Sequence, residues 1–92
     1  MFFKLMRDTN LIYEGIGCDV REKIEDLIAE KLGFCPMLQE SEDEDELSIY
    51  LHSEYGEELT DEQYEIVEKW GFNEADSTDV IKKLLNVSIE NK

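Results

Sequence analysis

From residue 32 to residue 68 the chain contains no lysine or arginine, and any fold it adopts must keep the carboxylates of that stretch in water. They are Glu40, Glu42, Asp43, Glu44, Asp45, Glu46, Glu54, Glu57, Glu58, Asp61, Glu62, Glu65 and Glu68, thirteen acids against no bases. The flanks differ: residues 1–31 hold 7 acids and 5 bases, and residues 69–92 hold 4 of each. The formal net charge of −15 on 92 residues is therefore concentrated in the middle third. A net charge of about 2–8 suffices to keep a small domain dispersed, and more than that destabilises the compact state by self-repulsion. Unpaired carboxylates are very costly to bury, so this third can form only elements with a solvated acidic face.

The remaining composition is that of a folding chain. Apolar residues make up 41%, with one Trp, four Tyr and four Phe, whereas disordered acidic chains are poor in such residues. The length fits one domain. The apolar run Met1–Met6 is broken by Lys4 and is too short for a signal-peptide core or a membrane span. Cys18 and Cys35 form no CxxC pair, and read as small, partly buried thiols. The acidic field repels nucleic acid and anionic membrane alike, so the expected partner is cationic.

Local patterns predict the elements. Phe2–Arg7 and Leu11–Ile16, apolar runs either side of Asp8-Thr9-Asn10, predict a β-hairpin. Asp19 reads as a helix N-cap with Glu22 at the capping-box position. Val20, Ile24, Leu27, Ile28 and Leu32 line one face of that helix, Glu22, Glu25, Asp26 and Glu30 the opposite one, and Gly33 is its expected stop. Residues 36–40 are expected to be extended after Pro36. Leu47-Ser48-Ile49-Tyr50-Leu51-His52 alternates as a strand with Leu47, Ile49 and Leu51 inward. The two predict a second hairpin whose acidic tip is an open loop, because like charges disfavour cross-strand pairing. Thr60 and Gln63 mark a second capping box, with Leu59 and Tyr64 as a hydrophobic staple. The helix that follows turns Tyr64, Ile66, Val67 and Trp70 one way and Asp61, Glu62, Glu65 and Glu68 the other, and Gly71 ends it. After a polar link over residues 73–77, Val80, Ile81, Leu84 and Leu85 mark a last helix over 78–87. The order ββαββαα predicts an α+β domain: a small antiparallel sheet of about four strands, in two hairpins, packed against two or three helices.

Catalytic chemistry finds little support in these residues. His52 is the one imidazole, and it is expected on the solvent face of its strand without the base-and-orienter grouping that a nucleophile needs. The run Ser41–Glu46 has no glycine for the sharp turn of a calcium loop, so it reads as counterion condensation with no dedicated metal. No cofactor motif occurs, and the expectation is a protein that is not an enzyme.

The charge pattern itself is the remaining signal. Carboxylates three or four apart on a helix lie ~5–6 Å from one another at Cβ, and alternate strand residues lie ~6.6 Å apart. Both are close to the intervals between successive phosphates of a DNA strand, which rise ~3.4 Å each while winding about the axis. Glu58, Asp61, Glu62, Glu65 and Glu68 on one helix, with Glu40, Glu42, Glu44 and Glu46 on the hairpin tip, would offer charges at such intervals. Glu22, Glu25, Asp26 and Glu30 would form a second rail. Two other readings stay open: an acidic adaptor that binds a basic protein outside its DNA site, and a merely solubilising charge.

With the cluster Glu40–Glu46, the acidic helix face Asp61–Glu68, its small size and its mixed α/β pattern, the chain resembles the small acidic DNA-mimic anti-restriction proteins of tailed phages, in particular those of the T-even phages. The resemblance implies a protein made in the cytoplasm of an infected bacterium. It implies occupation of the basic DNA cleft of a host restriction endonuclease of the McrBC type, with no direct contact to nucleic acid, and it is compatible with a homodimer, since such mimics are commonly dimers. Tyr50, Tyr55 and Phe72 are then expected as exposed contacts.

Overall fold

The computed structural model describes residues 2–91, so Met1 of the N-terminal apolar run lies outside the described residues. The elements are β1 (Phe2–Arg7), β2 (Asn10–Ile16), α1 (Gly17–Leu32), β3 (Leu38–Asp43), β4 (Glu46–Leu51), α2 (Asp61–Trp70), α3 (Thr78–Leu85) and β5 (Ser88–Asn91). The α+β class, both hairpins and the order ββαββαα are as expected, with one strand added at the C-terminus. The strands form two antiparallel sheets, β2-β1-β5 and β3-β4, where a single sheet was expected. The pattern gives no warning of β5, because its four residues SIEN contain one apolar side chain and its pairing with β1 spans nearly the whole chain.

Each hairpin closes on two residues with a left-handed first one, Asp8 at φ +56° and Glu44 at φ +56°. Aspartate, with its short polar side chain, accepts that conformation better than most, whereas Glu44 is held there by the two-residue turn. The second hairpin departs from expectation: β3 runs on to Asp43, and the tip is the tight turn Glu44-Asp45 rather than an open loop. Only Asp43 and Glu46 meet as like charges in its register, since Glu42 faces Leu47 and Glu40 faces Ile49. That single repulsive pair lies at the exposed end, where water screens it.

Helix α1 leaves β2 without a loop, so its N-cap is Ile16, with no side-chain cap, and the Asp19 capping box does not form. Asp19 falls instead in the first turn, where an acid favours the positive end of the helix dipole. Gly33 and Gly71 end α1 and α2 at φ +86° and +89°, a region closed to most other residues. The Thr60–Gln63 capping box of α2 is complete.

Phe3 and Leu5 of β1, Val20, Ile24 and Ile28 of α1, Leu47, Ile49 and Leu51 of β4, and Ile81, Leu84 and Leu85 of α3 meet in one core. Val67 is the only buried residue of α2. Trp70, expected on its inner side, is 38% exposed, while Phe72, expected at the surface, is 7% exposed. The helix ends at Gly71 in the left-handed conformation, and Phe72 rather than Trp70 joins the core. Tyr50 and Tyr55 are half-buried, and Tyr55 packs edge-on against Tyr64 at 5.9 Å between ring centroids.

Candidate polyanionic surface

Twelve of the thirteen carboxylates between residues 32 and 68 are exposed, the exception being half-buried Glu40. Among the described residues, every salt bridge is made by Arg21, to Glu22, Glu25 and Glu40. Its Nε donates to Glu40 Oε1 at 2.8 Å and its Nη1 to Glu25 Oε1, while Glu25 Oε2 accepts the Leu38 N–H at 3.2 Å. Glu25 and Glu40 thus fasten α1 to β3 and are neutralised within the molecule. The arginine is held charged by these two carboxylates, against the opposing effect of burial.

The rail expected along Glu40, Glu42, Glu44 and Glu46 does not form as drawn. Residues opposite one another in an antiparallel pair share a face, so Glu40 and Glu42 lie on the face of Leu47 and Ile49, and Asp43 and Glu46 lie on the other. Glu44 and Asp45 occupy the turn. On α1, Glu22, Asp26 and Glu30 are exposed at intervals of four, leaving a second rail without Glu25.

The acids after β4 are ordered by the chain path. Glu54, Glu57 and Glu58 lie in the loop that precedes α2 and, with Glu25, border a cleft of about 340 Å³ that also exposes Met37 and Leu59. His52 begins this loop, its Nδ1 accepting the Glu54 N–H at 3.1 Å. Asp61, Glu62, Glu65 and Glu68 are all exposed on α2, which Tyr64 ties to the loop by donating to Gly56 O at 3.1 Å. After α2 the link over residues 73–77 runs back along β4. Leu51 N–H donates to Asn73 O at 2.9 Å and Ser77 N–H to Ile49 O at 2.7 Å, and Ile49 N–H donates to Thr78 Oγ1 at 2.9 Å.

The link and the start of α3 add three acids that lie beyond the base-free stretch: Glu74 and Asp76 in the link and Asp79 in the first turn of α3, all exposed. Asp76 and Asp79 border a cleft of about 280 Å³ together with Asp45, Glu46, Thr78 and Lys82, so the start of α3 is brought beside the hairpin turn. The link is held by its own hydrogen bonds. Asn73 Oδ1 accepts from the N–H of Ala75 and of Asp76, at 2.9 and 2.8 Å, and the buried Ser77 hydroxyl donates to Asn73 O at 2.8 Å. Asp76 Oδ1 accepts from Thr78 Oγ1 at 2.6 Å and from Thr78 N at 2.9 Å. These bonds hold its carboxyl below the ordinary aspartate range, with Lys82 assisting. The signal for these three acids was in the sequence, but a boundary drawn at Lys69 cut them off.

Both cysteines are free and half-buried, and burial beside Glu25 and Asp26 pushes the Cys35 thiol up to about 12. No group of three or more potential metal ligands occurs among the described residues, and no described helix is long and apolar enough to cross a membrane. The exposed carboxylates are thus distributed over the loop, α2, the link, the start of α3 and the hairpin turn, with those of the hairpin turn and the start of α3 brought together at one cleft. No family model, curated protein or solved structure matches the chain.

Proposed function

We propose that this chain is a non-catalytic inhibitor that occupies the basic DNA-binding cleft of a host restriction endonuclease of the McrBC type, in the cytoplasm of a phage-infected bacterium. One observation carries the reading: twelve exposed carboxylates of the middle third have no ion-pair partner among the described residues. Such a surface gains by meeting cations, because association releases the ions condensed around it. Two further features favour mimicry of a duplex. The acids ride on elements fixed by a capping box and a hydrogen-bonded link, so their spacing is kept. The longest extent of the molecule, 38 Å, equals about eleven base-pair steps at ~3.4 Å each.

Capture from a bacterial lysate on the immobilised protein at low and at moderate salt tests this reading. A DNA-binding nuclease retained at low salt, and released by added duplex DNA or by salt, is the expected result. A basic protein that stays bound while also holding DNA would replace it with an adaptor role outside the DNA site.

A further inference from the structure

We propose that the outer edge of β3 receives an extended basic segment of the partner as an added strand; this rests on the partner being cationic, as above. The register pairs Leu38 with Leu51, Glu40 with Ile49 and Glu42 with Leu47. Ile49 and Leu51 send their N–H groups away from β3, to Thr78 Oγ1 and Asn73 O. These are therefore the non-hydrogen-bonded pairs of the ladder, and their β3 members turn their backbone groups outward as well. Leu38 shows it, donating outward to Glu25 Oε2 at 3.2 Å. The N–H and C=O groups of Glu40 and Glu42 point the same way, and they make no hydrogen bond among the described residues. The molecule covers the corresponding edge of β4 with its own link, caps the start of this one with Glu25 at Leu38, and leaves it open at Glu40 and Glu42.

The open edge faces a groove of about 560 Å³ lined by Ile16, Gly17, Cys18, Glu40, Ser41 and Glu42. An exposed edge is a template for any strand, and charge decides which strand enters. A second copy of β3 would bring Glu42 and Asp43, both exposed, against the same residues, and like charges across strands repel. A lysine- or arginine-bearing segment meets opposite charge at Glu42 and Asp43, pairs its backbone with Glu40 and Glu42, and lays its aliphatic stems on Ile16, which is 41% exposed. Backbone pairing supplies affinity in this mode and alternate side chains supply selectivity.

The test uses the full chain and a fluorescein-labelled peptide of alternating lysine and threonine, compared with the same peptide N-methylated at its four central residues. The two carry equal charge, and only the first has central N–H groups to donate. The expected result is binding of the unmodified peptide at least tenfold tighter, and a loss on Glu42→Pro well beyond that on Glu42→Gln. Proline removes the outward N–H without cutting the ladder to β4 and is tolerated on an edge strand; circular dichroism checks its fold. Equal binding of the two peptides would overturn strand addition while leaving the polyanion reading standing. No binding of either at low salt would overturn both.

Discussion

Arg21 lies outside the base-free stretch in sequence, yet it is the residue that reaches into it. Its partners Glu25 and Glu40 have side chains about one quarter exposed, at 24% and 25%, so removing the cation leaves two half-buried carboxylates facing one another. Arg21→Met is expected to cost ~1–3 kcal/mol in urea unfolding, the range for losing hydrogen bonds to charged groups. Adding Glu25→Gln and Glu40→Gln should recover most of that loss, and a cost below ~0.5 kcal/mol would reduce the cluster to an ordinary surface pair. Asp76 makes a prediction of opposite character. Its folded-state carboxyl titrates below the ordinary value because Thr78 donates to it twice. A depressed carboxylate contributes stability that is complete above the unfolded value of about 3.9 and is lost as pH falls through the lower folded value. The stability difference between the wild type and Asp76→Ala should therefore be flat from pH 7 to pH 5 and shrink below pH ~4. A difference that grows on acidification would contradict the assignment.

Among the elements, what was legible in advance and what was not separate by the range of the forces involved. Val20 to Leu32, Thr60 with Gln63, and Leu47-Ile49-Leu51 carry their structure in their own spacing, and α1, the α2 cap and β4 follow it. Asp19 has the residue types of a cap, but the chain enters α1 straight from β2, and a local motif cannot register that. Trp70 has the right helical phase for burial, yet Phe72 fills the core after the turn at Gly71. The same limit applies to the surface. The exposed face of α2 was readable from periodicity, whereas the neutralisation of Glu25 and Glu40 by Arg21, and the approach of Asp76 and Asp79 to the hairpin turn, arise only from tertiary packing. The α2 face is the sharpest test at this scale, because Glu62, Glu65 and Glu68 are exposed and make no salt bridge among the described residues. Changing all three to lysine should leave the circular dichroism spectrum intact and lower affinity for a basic partner by at least an order of magnitude at low salt, since each reversal replaces attraction by repulsion. Unchanged affinity in a folded triple variant would move the contact to the hairpin end or to α1.

For the whole molecule, a charge of −15 is a cost the fold carries at all times, balanced by one core to which both sheets, α1 and α3 contribute. Salt acts in opposite directions on stability and on binding: it screens the self-repulsion, which favours the folded state, and it weakens every contact to a cationic partner. A solubilising charge would show the first effect alone. The claim that this surface stands in for a duplex is tested most directly by titrating the protein into a complex of labelled DNA with a restriction endonuclease of the McrBC type and following release of the DNA. The account predicts complete, competitive displacement that excess duplex reverses, with an apparent affinity that falls about tenfold or more between ~50 and ~200 mM salt. A stable ternary complex in which the enzyme keeps its DNA while holding this protein would contradict it.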